Sequence, residues 1–273
     1  MYAFPAAGRT DGHPPVGTDE SMMRPTSARV FDCLLGGKDH YPCDTVPARR
    51  AMQAAPFLPA AIRRDRAWVR TIVAELAAHG LGQVVDLGCG LPHEQEPFLH
   101  DVLAPHRPDG QVLHVDSDPV VAAHMAAALM TSRTPVVTGY LHADITCPPS
   151  VLDSPLLAEA IDLTLPVVLV VGAVLHHLTD EQTATVVEEF SRAVCAGSAL
   201  VVTHWTHDFA QTPMRRTAEI LTSAGVATYP RTEMEIAAVL ERHWDLVPPG
   251  VAAPGFEAGS RPDTSYAAVA RKP

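Results

Sequence analysis

The sequence has few lysines, few aromatic residues and no long uninterrupted apolar segment. Lys38 and Lys272 are its only lysines, and the 273 residues carry a net charge of −11 with histidines neutral. A nucleic-acid partner is not expected, because phosphate contacts need clustered Lys and Arg. No apolar run reaches the ~18 residues of a membrane span, and no signal peptide is apparent at the N-terminus. Five scattered cysteines without a C-x-x-C pair favour a reducing, cytoplasmic location.

Changes of pattern along the chain predict three parts. Residues 1–24 are rich in Pro, Gly and Thr without periodicity, which predicts a flexible lead. Residues 25–79 show helical spacing of apolar side chains, which predicts a helical cap extension. Residues 80–273 alternate apolar strands with longer segments, which predicts one α/β domain. The predicted helices of the cap run from Ser27 to the Gly36-Gly37 pair, from Asp44 to Ala54, and from Leu58 to His79.

Short apolar runs separated by helical or loop stretches predict a parallel sheet with helices on both faces. The last two runs, "DLVPPGV" and "SYAAVARK", break this rhythm and predict an antiparallel pair at a sheet edge. The expected fold is therefore a Rossmann-like, doubly wound sheet of seven strands whose last strand is antiparallel. The five earlier strands are predicted at Gln83–Leu87, Val112–Val115, Val136–Tyr140, Pro166–Ala173 and Ala199–His204.

The end of the first predicted strand carries the first indication of a ligand. In "VVDLGCGLP", Asp86 lies two residues before Gly88, and Gly90 follows. A dinucleotide fingerprint needs a third glycine, which is missing here, and an acid beside the turn would repel a pyrophosphate. S-adenosylmethionine (SAM) has no phosphate and carries an ammonium and a sulfonium, which suit an acid at this place. The turn therefore favours a SAM site over an NAD site, with an ordinary strand-to-helix turn as the alternative.

The next two strands end in further acids. Asp116, in "VLHVDSDP", is placed to bind a ribose diol, a role common to NAD and SAM folds. Asp144, in "YLHADIT", is placed to accept a hydrogen bond from an adenine amino group, or serves as a loop acid. Three acids at the ends of successive strands, together with the glycines, indicate SAM. Ser117, Ile145 and Ala173 complete the predicted cofactor-binding set on these strand ends.

These motifs in this order resemble the class I SAM-dependent methyltransferases. "PTSARVFDCLLGGKDHYPCD", Pro25 to Asp44, resembles the signature of one actinobacterial S-adenosyl methyltransferase family, formerly a domain of unknown function. "LPVVLVVGAVLHHLTD" and "PPGV…SYAAVARKP" are also similar to that family. The resemblance implies SAM as the cofactor, with the methionine end at Asp86, Gly88 and Gly90, the ribose at Asp116 and the adenine at Asp144. It implies no particular substrate.

The "LLGGKDHY" stretch of the front motif has two interpretations. A loop from the helical cap could close over the cofactor, with Arg29, Gly36, Gly37 and Lys38 contributing to cofactor binding. Arg29 and Asp32, three residues apart, would then pair with each other or with the charged groups of SAM. Alternatively, the glycines end a helix and the charged loop is solvated. The family resemblance favours the ligand role.

Histidines follow the fourth and fifth predicted strands, at the rim where a methyl acceptor would bind. His176, His177 and His204 are candidate catalytic bases, although each is also suited to a structural hydrogen bond. Trp205 could line an apolar acceptor pocket. No metal is expected, because "HEQEPFLH" lacks the H-x-x-x-H spacing that places two imidazoles on one helix face.

Two functions from different classes fit these observations. The first is methyl transfer from SAM to a small molecule, at oxygen or nitrogen rather than carbon as a general expectation. The second is a SAM- or SAH-binding sensor or accessory protein that transfers no methyl group. The fourth strand is followed by "GAVLHHL" rather than the N/D-P-P-Y/F run of DNA-base methyltransferases, which favours a small-molecule substrate. An NAD-dependent reductase is disfavoured by the missing glycine, and the sequence predicts no oligomeric state.

Overall fold

The computed structural model describes residues 23–93, 96–254 and 264–273, so the predicted lead of residues 1–24 lies almost wholly outside the described residues. Within the described residues, seven strands form one sheet. The strands are β1 (Gln83–Leu87), β2 (Gln111–Asp116), β3 (Val137–His142), β4 (Val168–Gly172), β5 (Ala199–Trp205), β6 (Asp245–Leu246) and β7 (Ser265–Arg271).

The strand order across the sheet is β3-β2-β1-β4-β5-β7-β6. Strands β1 to β5 pair in parallel, whereas β7 is antiparallel to both β5 and β6. The predicted Rossmann-like, doubly wound sheet and its antiparallel edge pair are confirmed. The chain order reverses between β1 and β4, and in such sheets a crevice opens beyond the carboxyl ends of the strands at that point.

Helices cover both faces of the sheet, and the predicted N-terminal helical cap is confirmed. One 3-10 turn, Leu175–His177, follows β4. The helices are α1 (Ser27–Leu35), α2 (Pro42–Ala54), α3 (Leu58–Ala78), α4 (Leu99–Leu103), α5 (Pro119–Thr131), α6 (Pro149–Leu152), α7 (Pro155–Ala160), α8 (Asp180–Ala193), α9 (Gln211–Ser223) and α10 (Glu233–Leu240).

Alternate residues of each strand enter different cores, as the pleat of a sheet requires. Val84 packs with side chains of α3 and α4 on one face. Val85 packs with side chains of α7, α8 and α10 on the other face. Because both faces are buried, the central strands are mainly apolar, and polar side chains at their carboxyl ends reach a cavity.

The front helices form a third core with β5 and α9. Val30 and Leu34 of α1 pack there with Ile62 of α3 and with Trp205. Helix α3 therefore contributes to two cores, since Val73 in its second half packs in the same core as Val84 of the sheet. The predicted domain boundary at residue 79 separates this helix from the sheet that it covers. In the described part of the chain, no helix has the length and apolar character needed to cross a membrane.

Candidate functional site

The glycine turn after β1 is a tight chain reversal packed against two neighbouring strand ends. The backbone N–H groups of Gly88 and Cys89 donate to the carbonyl oxygen of Val115, at 2.8 and 3.0 Å. Gly88 has φ +78°, and a Cβ added there would lie 2.5 Å from Cγ2 of Val174. Only glycine meets both conditions, because other residues rarely adopt this conformation and the loop after β4 occupies the space.

A cavity of about 360 Å³ lies against this turn, within the size range of small-molecule sites. Elements from the whole carboxyl edge of the sheet contribute to its wall, together with α1 and α3. Nine of the predicted site residues line it: Asp86, Gly88, Gly90, Asp116, Ser117, Asp144, Ile145, Ala173 and His177.

Asp116 holds the glycine turn in place and carries a perturbed carboxyl group. Its two oxygens accept hydrogen bonds from the backbone N–H groups of Gly90, at 2.8 Å, and Asp118, at 2.9 Å. The pKa of Asp116 is raised to about 6, chiefly by burial; the two hydrogen bonds oppose this rise, and the nearby charges of Asp118 and Asp86 add to it. Asp118 itself caps α5 by accepting from the N–H of Val120.

Asp86 is oriented by a chain of buried histidines. His114 Nδ1 lies 3.0 Å from the Asp86 carboxylate, and His114 Nε2 lies 3.2 Å from His100 Nδ1. An ionised carboxylate only accepts, so His114 donates through Nδ1 and its Nε2 accepts from His100. Burial, and secondarily the neighbouring His114, lowers the pKa of His100 to about 4, which keeps that ring neutral.

Asp144 and its neighbours form the opposite end of the cavity wall, beyond β3. The Asp144 carboxylate accepts from the backbone N–H and the hydroxyl of Thr146, both at 2.8 Å. Ile145 is buried beside it. The wall thus presents carboxylates at the ends of β1, β2 and beyond β3, which suits a ligand with ammonium, hydroxyl and amino donors. These donor groups are those of SAM, so the residues present fit this cofactor.

The three candidate histidines occupy different positions, and only His177 among them lines the cavity. His177 Nδ1 lies 2.7 Å from the carbonyl oxygen of Ala227, so Nδ1 carries the hydrogen and Nε2 keeps a lone pair. That Nε2 atom is buried without a hydrogen-bond partner among the described residues. Burial lowers the pKa of His177 to about 4, so the ring is neutral at neutral pH.

The other two histidines lie behind the cavity wall, which corrects their prediction as bases. His204 bonds the Trp205 carbonyl through Nδ1 at 2.7 Å and accepts from Arg231 through Nε2 at 3.0 Å. His176 is fully buried, accepts from the Trp205 N–H at 3.3 Å and stacks on the Trp205 ring. Both therefore support Trp205, which lines the cavity with its Nε1–H unpartnered among the described residues.

The front motif also differs from its prediction. Arg29 is buried, and its guanidinium pairs with Asp44 at 2.9 Å and faces Asp118 at 3.8 Å, so it braces α1 rather than lining the cavity. Arg29 does not pair with Asp32, which was one of the alternatives, because the Asp32 carboxylate bonds the loop after α1 instead. Gly36, Gly37 and Lys38 lie in that loop, and the cavity wall in the described chain includes none of the three. Lys38 instead lines a second, open cavity of about 620 Å³.

Several wall residues were not singled out from the sequence. Helix α3 was interpreted by its apolar stripe alone, yet Arg66 and Arg70 on its adjacent face line the cavity. Both pair with Glu96, which follows the glycine turn. Their i, i+4 spacing beside an acidic loop was the available signal. The described residues contain no group of His, Cys, Asp and Glu side chains that could hold a metal ion.

Known proteins are similar to this chain in sequence and fold over nearly its whole length. A family model described as S-adenosyl methyltransferase matches residues 17–272. A DUF574 family protein from Streptomyces avermitilis is 33% identical, with a TM-score of 0.86 over 93% of this chain and 99% of that one. A candidate methyltransferase from Thermobifida fusca is 31% identical, with a TM-score of 0.83 over 95% of this chain and 98% of that one. No curated protein matches the chain.

The family match covers far more than half of the sequence and includes both the front helices and the sheet. The predicted cofactor, SAM, and the predicted enzyme class, a methyltransferase, are confirmed at that level. The chain belongs to the S-adenosyl methyltransferase family.

Proposed function

We propose that this methyltransferase acts on the oxygen or nitrogen of a small molecule bound between α1 and the ends of β4 and β5. The observation that carries the proposal is a pair of buried polar atoms on the cavity wall, His177 Nε2 and Trp205 Nε1, without partners among the described residues. A buried polar group without a partner is unfavourable, so a bound ligand is the natural partner. A hydroxyl or amine provides the donor that His177 Nε2 lacks.

The cofactor roles follow from the order of the strand ends. Asp86 receives the ammonium at the methionine end, Asp116 the two ribose hydroxyls, and Asp144 the adenine amino group. Ser117 and Ile145 flank the ribose and the adenine, and Gly88, Gly90 and Ala173 bring backbone close to the ligand. Ala173 supports this arrangement, since it adopts φ +57° at the end of β4, where its N–H bonds Thr203. Such strained residues concentrate at functional sites.

The cofactor supplies an electrophilic methyl group on a sulfonium. The chain's own residues must align an acceptor with that methyl and receive a proton. His177 Nε2 accepts a hydrogen bond from the hydroxyl or amine of the substrate. The proton of that group passes to the imidazole ring as the new carbon–oxygen or carbon–nitrogen bond forms. The carbon–sulfur bond breaks with its electron pair remaining on sulfur. A neutral His177, held by Ala227, is in the required state before each turnover.

The acceptor end of the cavity is apolar and aromatic. Phe31 stacks on Trp205 with ring centroids 5.2 Å apart and lies edge-on to His177 at 5.8 Å. Leu35 and Ile62 line the same cavity. This wall supports a compact, largely apolar acceptor. The net charge of −11 disfavours a nucleic acid as acceptor, and dependence on SAM, an intracellular metabolite, supports action in the cytoplasm.

Calorimetric titration with SAM, SAH and NADH tests the cofactor assignment first. Binding of SAM and SAH, with no heat from NADH, is the expected result. Small hydroxyl- and amine-bearing aromatic compounds are then screened by SAH formation. A folded protein that binds SAH but transfers methyl to no such compound would favour the SAM- or SAH-binding sensor instead.

His177→Asn tests the proposed base once an acceptor is found. We expect turnover to fall by about 10²–10⁴-fold, because proton transfer by a positioned side chain contributes that much. SAM affinity should change little, because Asp86, Asp116 and Asp144 are untouched. His106→Asn is the matched control, since His106 is exposed in the turn after α4. Equal turnover in both variants would remove His177 from the reaction.

A further inference from the structure

Two arginines of α3 share a single carboxylate at the cavity wall. Arg66 Nε lies 2.6 Å and Arg70 Nη1 3.1 Å from the same oxygen, Oε2 of Glu96. All three side chains line the cavity. Among the described residues of this cluster, two guanidinium groups face one carboxylate, which gives the cluster an excess of one positive charge. These arginines therefore form a cationic subsite in a cavity wall that otherwise carries mainly acids.

The guanidinium group of Arg66 has a fork of two terminal nitrogens that a ligand can occupy. Its closest approach to Glu96 is through Nε, and its two terminal nitrogens make no hydrogen bond to the residues that the structure describes. About 28% of the side chain is exposed, and Arg66 lines the cavity. A guanidinium held at one side presents a planar pair of N–H donors, which matches a carboxylate in bidentate geometry.

Arg66 and Asp86 line the same cavity, and this shared wall indicates which carboxylate Arg66 binds. Burial raises the pKa of the Cys89 thiol well above its ordinary value, Asp86 adds to the rise, and the Arg66 charge opposes it. The charges of Asp86 and Arg66 therefore both act on Cys89, a residue of the glycine turn. An acid and an arginine that line one cavity beside this turn are complementary to the ammonium and the carboxylate of an α-amino acid.

We propose that Arg66 binds the α-carboxylate of SAM, with Glu96 holding the guanidinium in position and Arg70 bracing Glu96. This inference rests on the proposed placement of the methionine end at Asp86. It assigns the amino-acid half of the cofactor to two elements, since Asp86 follows β1 and Arg66 belongs to α3. Glu96 is a positioning residue, because it contacts Arg66 and not the ligand.

Decarboxylated SAM isolates this contact, because it lacks only the carboxylate. Its net charge is one unit more positive than that of SAM, so an acidic cavity without a cationic subsite would prefer it. The wild-type protein should instead bind SAM at least 10-fold more tightly, as measured by calorimetry. Arg66→Gln should weaken SAM by about 10- to 100-fold while leaving decarboxylated SAM within 3-fold.

Arg216→Gln is the matched control, since Arg216 is an exposed arginine of α9 that does not line the cavity. Its preference for SAM over decarboxylated SAM should remain that of the wild type. Arg66→Lys keeps the charge and loses the fork, so its preference should fall between those of the wild type and Arg66→Gln. It also serves as the test if Arg66→Gln does not fold, which circular dichroism would reveal.

Three results would decide against this subsite. A wild-type protein that binds decarboxylated SAM more tightly than SAM has no carboxylate subsite, and equal binding contradicts the expected preference. Equal weakening of both ligands by Arg66→Gln assigns Arg66 to the structural brace alone. Unchanged affinities for both ligands in Arg66→Lys and Arg66→Gln remove the arginine from the site. A wild-type protein that binds neither ligand contradicts the cofactor placement itself, which distinguishes that failure from failure of the subsite.

Discussion

Asp116 is a carboxyl group held where its charge is disfavoured. Burial raises its pKa from the ordinary 3.8 to about 6, with Asp118 and Asp86 nearby as further acids. In the ligand-free protein, Asp116 is therefore largely protonated below about pH 6 and ionised above it. The two ribose hydroxyls of an adenosyl ligand donate to the ionised form, so binding favours ionisation. Its contribution to affinity is complete above about pH 6 and is lost as pH falls below that value.

We predict that SAH affinity falls by up to about 10-fold between pH 7.5 and pH 5, because at most one proton must be displaced per ligand below the pKa. SAH is the suitable probe, since its own ammonium and carboxylate do not titrate in this range. Calorimetry on wild type and Asp116→Asn checks the prediction. The variant should bind weakly with little pH dependence. A wild-type profile that is flat, or an equal slope in the variant, would contradict the role of Asp116.

The acids of the site were predictable because parallel strands end at a common edge of the sheet. Asp86, Asp116 and Asp144 each follow an apolar run, so their meeting follows from topology. The positions of the two adjacent histidines are harder to predict from the sequence. The 3-10 turn that directs His177 to the cavity and His176 to the core has no distinct sequence signal. Arg66 was missed because the polar face of a helix does not distinguish a cavity from solvent.

At the scale of elements, the loop after α1 is held by one carboxylate. Asp32 accepts from the N–H of Asp39 at 2.9 Å and bonds His40 Nδ1 at 2.7 Å. A Cβ added at Gly37 would lie 1.9 Å from Asp32 Oδ1, so the loop can approach the carboxylate only with glycine there. Gly36 ends α1 at φ +82°, and no atom lies within 4 Å of a Cβ added to it. The two positions in "LLGGKDH" thus favour glycine for different physical reasons: close approach at Gly37 and backbone conformation at Gly36.

We expect Gly37→Ala to destabilise the protein by about 1–3 kcal/mol through overpacking against Asp32. In an Asp32→Ala background the clash is absent, so Gly37→Ala should cost at least about 1 kcal/mol less. Urea unfolding of the four proteins in this double-mutant cycle measures the coupling. Gly36→Ala is the control, since its cost comes from backbone conformation and should be the same in both backgrounds. Additive costs for Gly37→Ala and Asp32→Ala would disprove the clash.

The elements themselves followed closely from the sequence, whereas their contacts did not. All seven strands and the three front helices lie within a few residues of their predicted positions. Apolar runs and helical spacing are local signals, and they specify an element without specifying its partner. The pairing of Arg29 with Asp44, rather than with Asp32, depends on how α2 returns beside α1. Such side-chain directions arise only once the helices have packed.

At the scale of the whole molecule, the charge of the chain and that of the cavity have the same sign. The protein carries a net charge of −11, and the described cavity wall has six acids against two arginines. One of these acids, Glu96, is paired with both arginines. The field therefore favours a cationic ligand, and SAM carries one positive charge more than SAH. The acidic character that disfavours nucleic acids thus suits the cofactor.

This difference in ligand charge leads to a prediction that does not depend on any single residue. Raising the salt concentration from 0.02 to about 0.5 M shortens the screening length to only a few ångströms, so the long-range attraction of the acidic protein is removed. SAM affinity should fall by about 3- to 10-fold, whereas SAH affinity should change by less than about 2-fold. Parallel calorimetric titrations measure both. Because hydrogen bonds within the cavity are common to the two ligands, the change in their affinity ratio reports the field alone. A constant ratio would mean that only the local contacts of the sulfonium, and not the charge of the molecule, distinguish SAM from its product.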